Sequence, residues 1–290
     1  PDKCVLCGRC AEACTYNAIA VTGKEVLFFP ELCHVCGACS VVCPEDAIVE
    51  KEKTIGRLLS GKSRPSPGGK AINFHYALLQ TAEGGMSPRL IGRVKERTGP
   101  GVNIYDSPPG TACPVVETVK EVDLVVLVTD PTPFGLNDLK LAVEMSRKIG
   151  QEPVVLVNRA GEDDAELKDY CRETKLKVIG EIPDDREIAE VYSAGDLVAE
   201  KLPRYRKLFE RIADDIVSEA DRERKVQPVP ERDWEKEASP TRAAPPDPDA
   251  GPRPDELVVI SGKGGTGKTS ITAAFAALAR KAVISDCDVD

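Results

Sequence analysis

Leu257-Val-Val-Ile-Ser-Gly-Lys-Gly-Gly-Thr-Gly-Lys-Thr269 is the stretch that decides how this chain folds. Its apolar run Leu257–Ile260 predicts a strand, Ser261–Thr269 a glycine-rich loop, and the Ala-rich Ser270–Arg280 a helix. Gly262 to Thr269 satisfies G-x4-G-K-[ST] in the strand–loop–helix setting that gives the pattern meaning. Gly262, Gly264, Gly265 and Gly267, with Thr266, let backbone N–H groups wrap phosphate oxygens. The helix opening at Ser270 adds a field that favours anions. Lys268 is expected to reach the β- and γ-phosphates, and the Thr269 hydroxyl to ligate Mg²⁺. A nucleoside triphosphate is the ligand this chemistry fits.

Working back along the chain, residues 102–222 repeat the same alternation of buried strand and helix. Val102–Tyr105 predicts a short strand ending at Asp106, and Val122–Thr129 is almost continuously apolar, as in a strand covered on both faces. Leu136–Ile149, Ala165–Thr174 and Arg186–Tyr192 have helical spacing, while Pro153–Val157 and Lys177–Ile182 read as strands. The expected class is α/β, a doubly wound, mostly parallel sheet. In such sheets ligands lie outside the carboxyl ends of the strands. Asp106, followed by Ser107-Pro108-Pro109-Gly110, can hold Mg²⁺ through water or can simply open a structural turn. Asn158-Arg159 can grip an adenine or simply end a strand. The helix Pro203–Asp221 carries Tyr205, Leu208, Phe209, Ile212, Ile216 and Val217 on one face, and packing on the sheet is expected ahead of a membrane surface.

The other end of the chain is chemically different. Of 11 cysteines, eight fall within the first 43 residues. Shifting the chain by 29 residues aligns Cys4-x-x-Cys7-Gly8-x-Cys10-x-x-x-Cys14 with Cys33-x-x-Cys36-Gly37-x-Cys39-x-x-x-Cys43, and the match extends to Ala18-Ile19 and Ala47-Ile48. Structural zinc uses separated pairs of ligands rather than four cysteines in eleven residues, and a disulfide framework belongs to secreted chains. The spacing C-x2-C-x2-C-x3-C is the run that holds [4Fe-4S] clusters, with the fourth cysteine of each run ligating the other cluster. One cluster then takes Cys4, Cys7, Cys10 and Cys43, the other Cys33, Cys36, Cys39 and Cys14. Gly8 and Gly37 are expected where a side chain would crowd the sulfides. Pro44 follows Cys43 but Thr15 follows Cys14, which loosens the match there without removing a ligand. Over about 50 residues the segment resembles a bacterial-type two-cluster ferredoxin domain of α+β class.

Composition excludes several roles. A net charge of -9 and 4% aromatics disfavour a phosphate backbone or stacked bases as partner, so no nucleic acid is expected. No apolar run approaches a membrane span, and no signal peptide opens the sequence, so a cytoplasmic location without stable membrane insertion is expected. The segments are then 1–50, the cluster module; 51–101, a Gly-, Ser- and Pro-rich connector with a short helix near Pro88–Arg97; 102–222, the later part of the sheet; 223–255, a charged proline-rich linker with Trp234 in it; and 256–290, the front of the sheet. His34 and His75 carry no motif of their own.

With these residues in hand, the chain resembles the MinD/ParA/nitrogenase-iron-protein ATPases, whose phosphate loop carries an additional lysine at the position of Lys263. The resemblance implies that Lys263 crosses a dimer interface to the partner's ATP, so the expected partner is a homodimer or tandem pseudo-dimer. It implies a first switch at Asp286-Cys287-Asp288, with Asp288 orienting the attacking water and Asp286 near Mg²⁺. It also makes Asp106–Gly110 the second switch. More narrowly, the chain resembles members of that family with an inserted two-cluster ferredoxin, in a rotated order: it begins at the insert and ends after the first switch. A fragment of a tandem fusion is the expected explanation, circular permutation the alternative. Cys113, seven residues after Asp106, sits at a spacing similar to that of a cluster cysteine in nitrogenase iron protein, though a buried side chain is the plainer expectation. Cys171 and Cys287 are expected to be packing residues.

ATP-dependent electron transfer, with a redox protein as partner, is the leading expectation. A scaffold delivering a cluster or metal cofactor to an apo-acceptor, and a positional nucleotide switch, are the alternatives.

Overall fold

The computed structural model describes residues 3–63, 71–80, 85–97, 99–161, 164–222, 256–261, 268–278 and 282–287. The cluster module contains two one-turn helices, α1 (Arg9–Glu12) and α2 (Ala38–Val41), and an antiparallel ribbon of β1 (Ile19–Val21) and β2 (Val26–Phe28). Next come β3 (Gly56–Lys62), β4 (Asn73–Leu79), α3 (Ser87–Lys95), β5 (Val102–Asp106), α4 (Cys113–Val119), β6 (Leu124–Thr129), α5 (Pro133–Lys148) and β7 (Val154–Ala160). They are followed by α6 (Ala165–Glu173), β8 (Lys177–Pro183), α7 (Arg186–Ser193), α8 (Val198–Lys201) and α9 (Pro203–Ala220). Across the linker lie β9 (Glu256–Ser261), α10 (Lys268–Leu278) and β10 (Ala282–Asp286).

Both stretches of the chain build one sheet, in the order β3-β4-β10-β5-β9-β6-β7-β8. Every pairing is parallel except β3 with β4. Strand β9 therefore lies between β5 and β6, and β10 between β4 and β5. The reason is visible in β5, β6 and β9: their side chains alternate between two apolar layers, so each strand must be covered on both faces. Tyr105, Val125, Leu127 and Val258 face one layer, with Ile91 and Val94 of α3, Val115 and Val119 of α4, and Leu139 and Val143 of α5. Ile104, Leu124, Val126 and Val259 face the other, with Phe209, Ile212 and Ile216 of α9 and Ile271 and Phe275 of α10. This is the α/β class expected, and α9 spends its apolar face on the sheet. Among the described residues no helix is long and apolar enough to cross a membrane.

The segment expected as a connector differs. Residues 56–62 and 73–79 form a seven-residue antiparallel pair, Gly56 opposite Leu79 through Lys62 opposite Asn73. Two glycines in β3 hide its strand character, and β4 is held from outside by β10, whose Val283 to Asp286 pair with Asn73 to Tyr76. His75 belongs to this ribbon, its Nδ1 2.8 Å from Ser60 Oγ. Helix α4 carries no strong periodic signal, being only seven residues long. Helix α5 starts earlier than its apolar spacing indicates, because Thr132 caps it by accepting from Gly135 N at 3.0 Å and Pro133 fills the first helical position. The linker 223–255 lies outside the described residues.

Three cysteines fall outside the cluster module. Cys171 and Cys287 are buried, and burial pushes their thiols up to about 11 and about 12. Cys113 is exposed at the start of α4, against the expectation of a buried side chain. Because the two folded thiols hold their protons above the unfolded value of about 8.5, the stability they contribute is complete below that pH. It is lost as pH rises toward 11–12. With clusters in place at pH 8, iodoacetamide is expected to add once, at Cys113. Intact-mass measurement on wild type and Cys113→Ser checks this, and native labelling of Cys171 or Cys287 would contradict it.

Candidate functional site

The carboxyl ends of β5, β9 and β10 meet at one place. Asp106 pairs in register with Asp286 of β10 on one side and Val259 of β9 on the other. The pairing continues past the strand ends: Cys287 N donates to Asp106 O at 2.8 Å, and Ser107 N donates to Val259 O at 3.1 Å. These bonds hold Asp106 still, and its carboxylate is ion-paired with the Lys268 ammonium, the first residue of α10. Both side chains are nearly inaccessible, at 8% and 6% exposure. Burying two charges costs more than an exposed pair returns unless each has its partner, so the two depend on each other.

Thr269 follows Lys268 on α10 and is exposed, while Thr272 Oγ1 donates to Lys268 O at 3.0 Å and tightens that turn. After Asp106 the chain runs through buried Ser107 and Pro108, exposed Pro109 and Gly110 at φ 92° into α4. Among the described residues the set at this point is Lys268, the strand-end carboxylates Asp106 and Asp286, and the Thr269 hydroxyl. It fits a phosphate chain with a hard divalent cation, for which carboxylate, hydroxyl and phosphate oxygens are the preferred ligands.

Of the residues singled out from sequence, Lys268, Thr269, Asp106 and Asp286 are therefore brought together, with Ser270 next in α10. Gly262, Lys263, Gly264, Gly265, Thr266, Gly267 and Asp288 lie outside the described residues. Asn158 stands at the end of β7, which is separated from β9 by β6, and is half-buried. Its neighbour Arg159 is ion-paired with Asp184 at 3.4 Å. One strand-end acid had no sequence motif to mark it. Asp130, at the end of β6 beside β9, is buried and accepts from Thr132 N at 3.3 Å. Its only signal was an acid directly after the apolar run Val122–Thr129.

The cysteine module repeats its backbone as well as its sequence. Leu6 and Val35 have φ 56° and 48°, Gly8 and Gly37 have 81° and 77°, and Asn17 and Asp46 have 54° and 46°, each pair 29 residues apart. Ala18 N donates to Cys14 Sγ at 3.2 Å, and Ala47 N to Cys43 Sγ at 3.3 Å. The glycines are thus required by left-handed backbone. A Cβ on Gly8 would meet nothing within 4 Å, so no protein atom crowds it. Holding branched Val35 at positive φ costs of order 1–3 kcal/mol, a strain kept only where surroundings over-determine it.

All eight cysteines line one cavity of about 1040 Å³. Among the described residues no three Cys, His, Asp or Glu converge on a single ion position. N–H groups aimed at Cys14 and Cys43 are the donors that tune [4Fe-4S] clusters.

The profile of the 4Fe-4S dicluster domain family matches residues 3–47, so this module binds iron–sulfur clusters. The chain is 27% identical over 211 residues to the uncharacterized protein MJ0579 of Methanocaldococcus jannaschii, covering 70% of each chain. It is 32% identical over 165 residues to the uncharacterized protein MJ0578 of the same organism, covering 55% of each. No solved structure matches.

Proposed function

We propose that the chain is an iron–sulfur ATPase of the MinD/nitrogenase-iron-protein type, coupling ATP binding and hydrolysis to electron transfer through two [4Fe-4S] clusters. The observation that carries this reading is the buried Lys268–Asp106 pair at the junction of β5, β9 and α10. Neither charge is at home there alone, and a triphosphate with Mg²⁺ supplies a partner for each. With nucleotide bound, Lys268 would turn from Asp106 to the phosphates, and Asp106 and Asp286 would hold the cation. Because Asp106 opens the turn to Gly110, that exchange moves the segment leading into α4. The chemistry at the γ-phosphate is positioning and charge stabilisation, supplied by Lys268, the loop amides and, from the partner copy, Lys263. The bound clusters supply one-electron capacity, while Cys4 to Cys43 fix their place and the surrounding N–H groups set their potential.

Anaerobic potentiometric EPR on the holo-protein, with and without MgATP, tests the coupling. MgATP hydrolysis together with a nucleotide-dependent shift in at least one cluster potential is expected. A protein that hydrolyses nothing, and whose clusters titrate identically with MgATP, MgADP and no nucleotide, sinks the reading. ATP-dependent transfer of the clusters to an apo-acceptor would replace it with the delivery role.

A further inference from the structure

The cavity that holds the cysteines is lined by residues of the segment Cys4–Ile55 with two exceptions, Met86 and Arg89. Both belong to the sheet's side of the molecule: Met86 caps the start of α3 and Arg89 lies in its first turn. The Arg89 guanidinium donates to the carbonyl of Val35, in the middle of the Cys33-x-x-Cys36 loop. Val35 is the residue held at positive φ, and its own N–H donates to Cys33 Sγ at 3.4 Å. Next to it, the His34 ring stacks on Tyr16 with centroids 3.6 Å apart and planes 8° apart. The same ring lies against Gly85, where a Cβ would overlap the imidazole. The loop is therefore held at two consecutive residues, Val35 by Arg89 of α3 and His34 by Gly85 just before the helix.

The twin loop is not. Its equivalent residues are Val5, which is 62% exposed, and Leu6, which has the same positive φ. Among the described residues no side chain donates to the Leu6 carbonyl. The backbone repeat is nearly symmetric, and the contacts from α3 break that symmetry.

We infer that Arg89 is a positioning residue for one cluster only, the one held by the Cys33–Cys39 loop, and that α3 joins this cluster and not its twin to the ATPase sheet. The guanidinium supplies a fixed hydrogen bond to the strained carbonyl and a positive charge at the cavity wall. A positive charge there favours the more negative, reduced form of the nearby cluster and so raises its potential. At its other end α3 is equally well tied. Lys95 Nζ donates to the carbonyls of Glu117, Thr118 and Lys120 at 3.2, 3.1 and 2.7 Å, closing the end of α4. Ile91 and Val94 pack with Val115 and Val119, all fully buried. Since α4 follows the turn Asp106–Gly110, α3 spans from the phosphate end to one cluster. That last link rests on the function proposed above; the asymmetry between the clusters does not.

The test uses the full holo-chain without nucleotide, so it stands whether or not the ATPase reading does. Arg89 is exposed, and Arg89→Ala is expected to fold with its full iron content. In a dithionite-poised EPR titration, one of the two cluster signals is expected to shift to lower potential. A tenfold change in its reduction equilibrium, about 59 mV for one electron, is the expected size. Arg89→Lys, which keeps the charge, is expected to recover most of the shift. Placed in Cys43→Ser the Arg89→Ala shift should persist, and in Cys14→Ser it should vanish. Loss of the Cys33–Cys39 cluster alone in Arg89→Ala supports the assignment equally. Unchanged potentials, equal shifts in both signals, or a shift that survives in Cys14→Ser would overturn it.

Discussion

Lys268→Ala is expected to reduce MgATP hydrolysis by about 10²–10³-fold, the usual cost of removing one preorganised group from a charge-stabilising site. The same change is expected to destabilise the nucleotide-free protein by about 3–5 kcal/mol, because it leaves the Asp106 carboxylate buried without its partner. These two effects have different cures, which makes the prediction sharp. In Lys268→Ala/Asp106→Asn the orphaned charge is gone, so most of the lost stability should return while hydrolysis stays reduced. Denaturant melts and phosphate release on the two single variants and the double variant measure both. If the double variant is no more stable than Lys268→Ala, the buried pair is not the coupled unit described. If Lys268→Ala hydrolyses MgATP normally, the phosphate site is elsewhere.

The second large effect concerns the ligands. Replacing Cys43, the last cysteine of the second run, is expected to remove the cluster of the first run, and replacing Cys14 to remove that of the second. Each change is expected to lower the iron from about eight toward about four per chain, since one cubane loses one of its four thiolates. The crossed outcome has a structural signature. Cys14 and Cys43 lie past the two one-turn helices, each accepting an N–H from the residue four further on, whereas the first three cysteines of each run lie in or beside its loop. Comparing Cys43→Ser with Cys4→Ser by EPR identifies which cluster is lost. The two should leave the same surviving signal. If Cys43→Ser instead leaves the signal that survives in Cys33→Ser, each run holds its own cluster.

The legible parts of the molecule were those in which one residue type at a fixed interval has a single chemical use. The cysteine spacing and the glycines before Lys268 are of that kind, and the apolar runs of β6 and β7 announced their burial on two faces. What was not legible depended on a partner distant in sequence. Strand β3 begins at Gly56 and contains Gly61, a weak strand pattern by itself, and its neighbour β4 is held by β10, more than 200 residues on. The Arg89 contact ends on a backbone carbonyl, which every residue has and no motif can mark. By itself Asp106 read first as a turn residue, and the family resemblance made it a metal ligand; that Lys268 is its partner depended on β9 and α10 and could not be read from the chain. Asp130 had no pattern to distinguish it from any acid ending a strand.

The position of β9 and β10 within the sheet has a consequence for how the protein is made. When β6 leaves the ribosome, its neighbour on one side, β9, is still more than 120 residues from synthesis. At about 5–20 residues per second the wait is on the order of 10 s. During that interval β4, β5 and β6 are present with two slots between them, edged by unpaired backbone and by strands carrying Ile104, Leu124 and Val126, which are buried in the finished protein. Exposed edges of this kind invite pairing with other chains. The cysteine module, by contrast, is complete in the first 50 residues and can take up its iron while the sheet is still open. Cluster insertion can therefore precede sheet closure in the nascent chain. Expression that outruns chaperone supply is expected to aggregate a species already carrying iron.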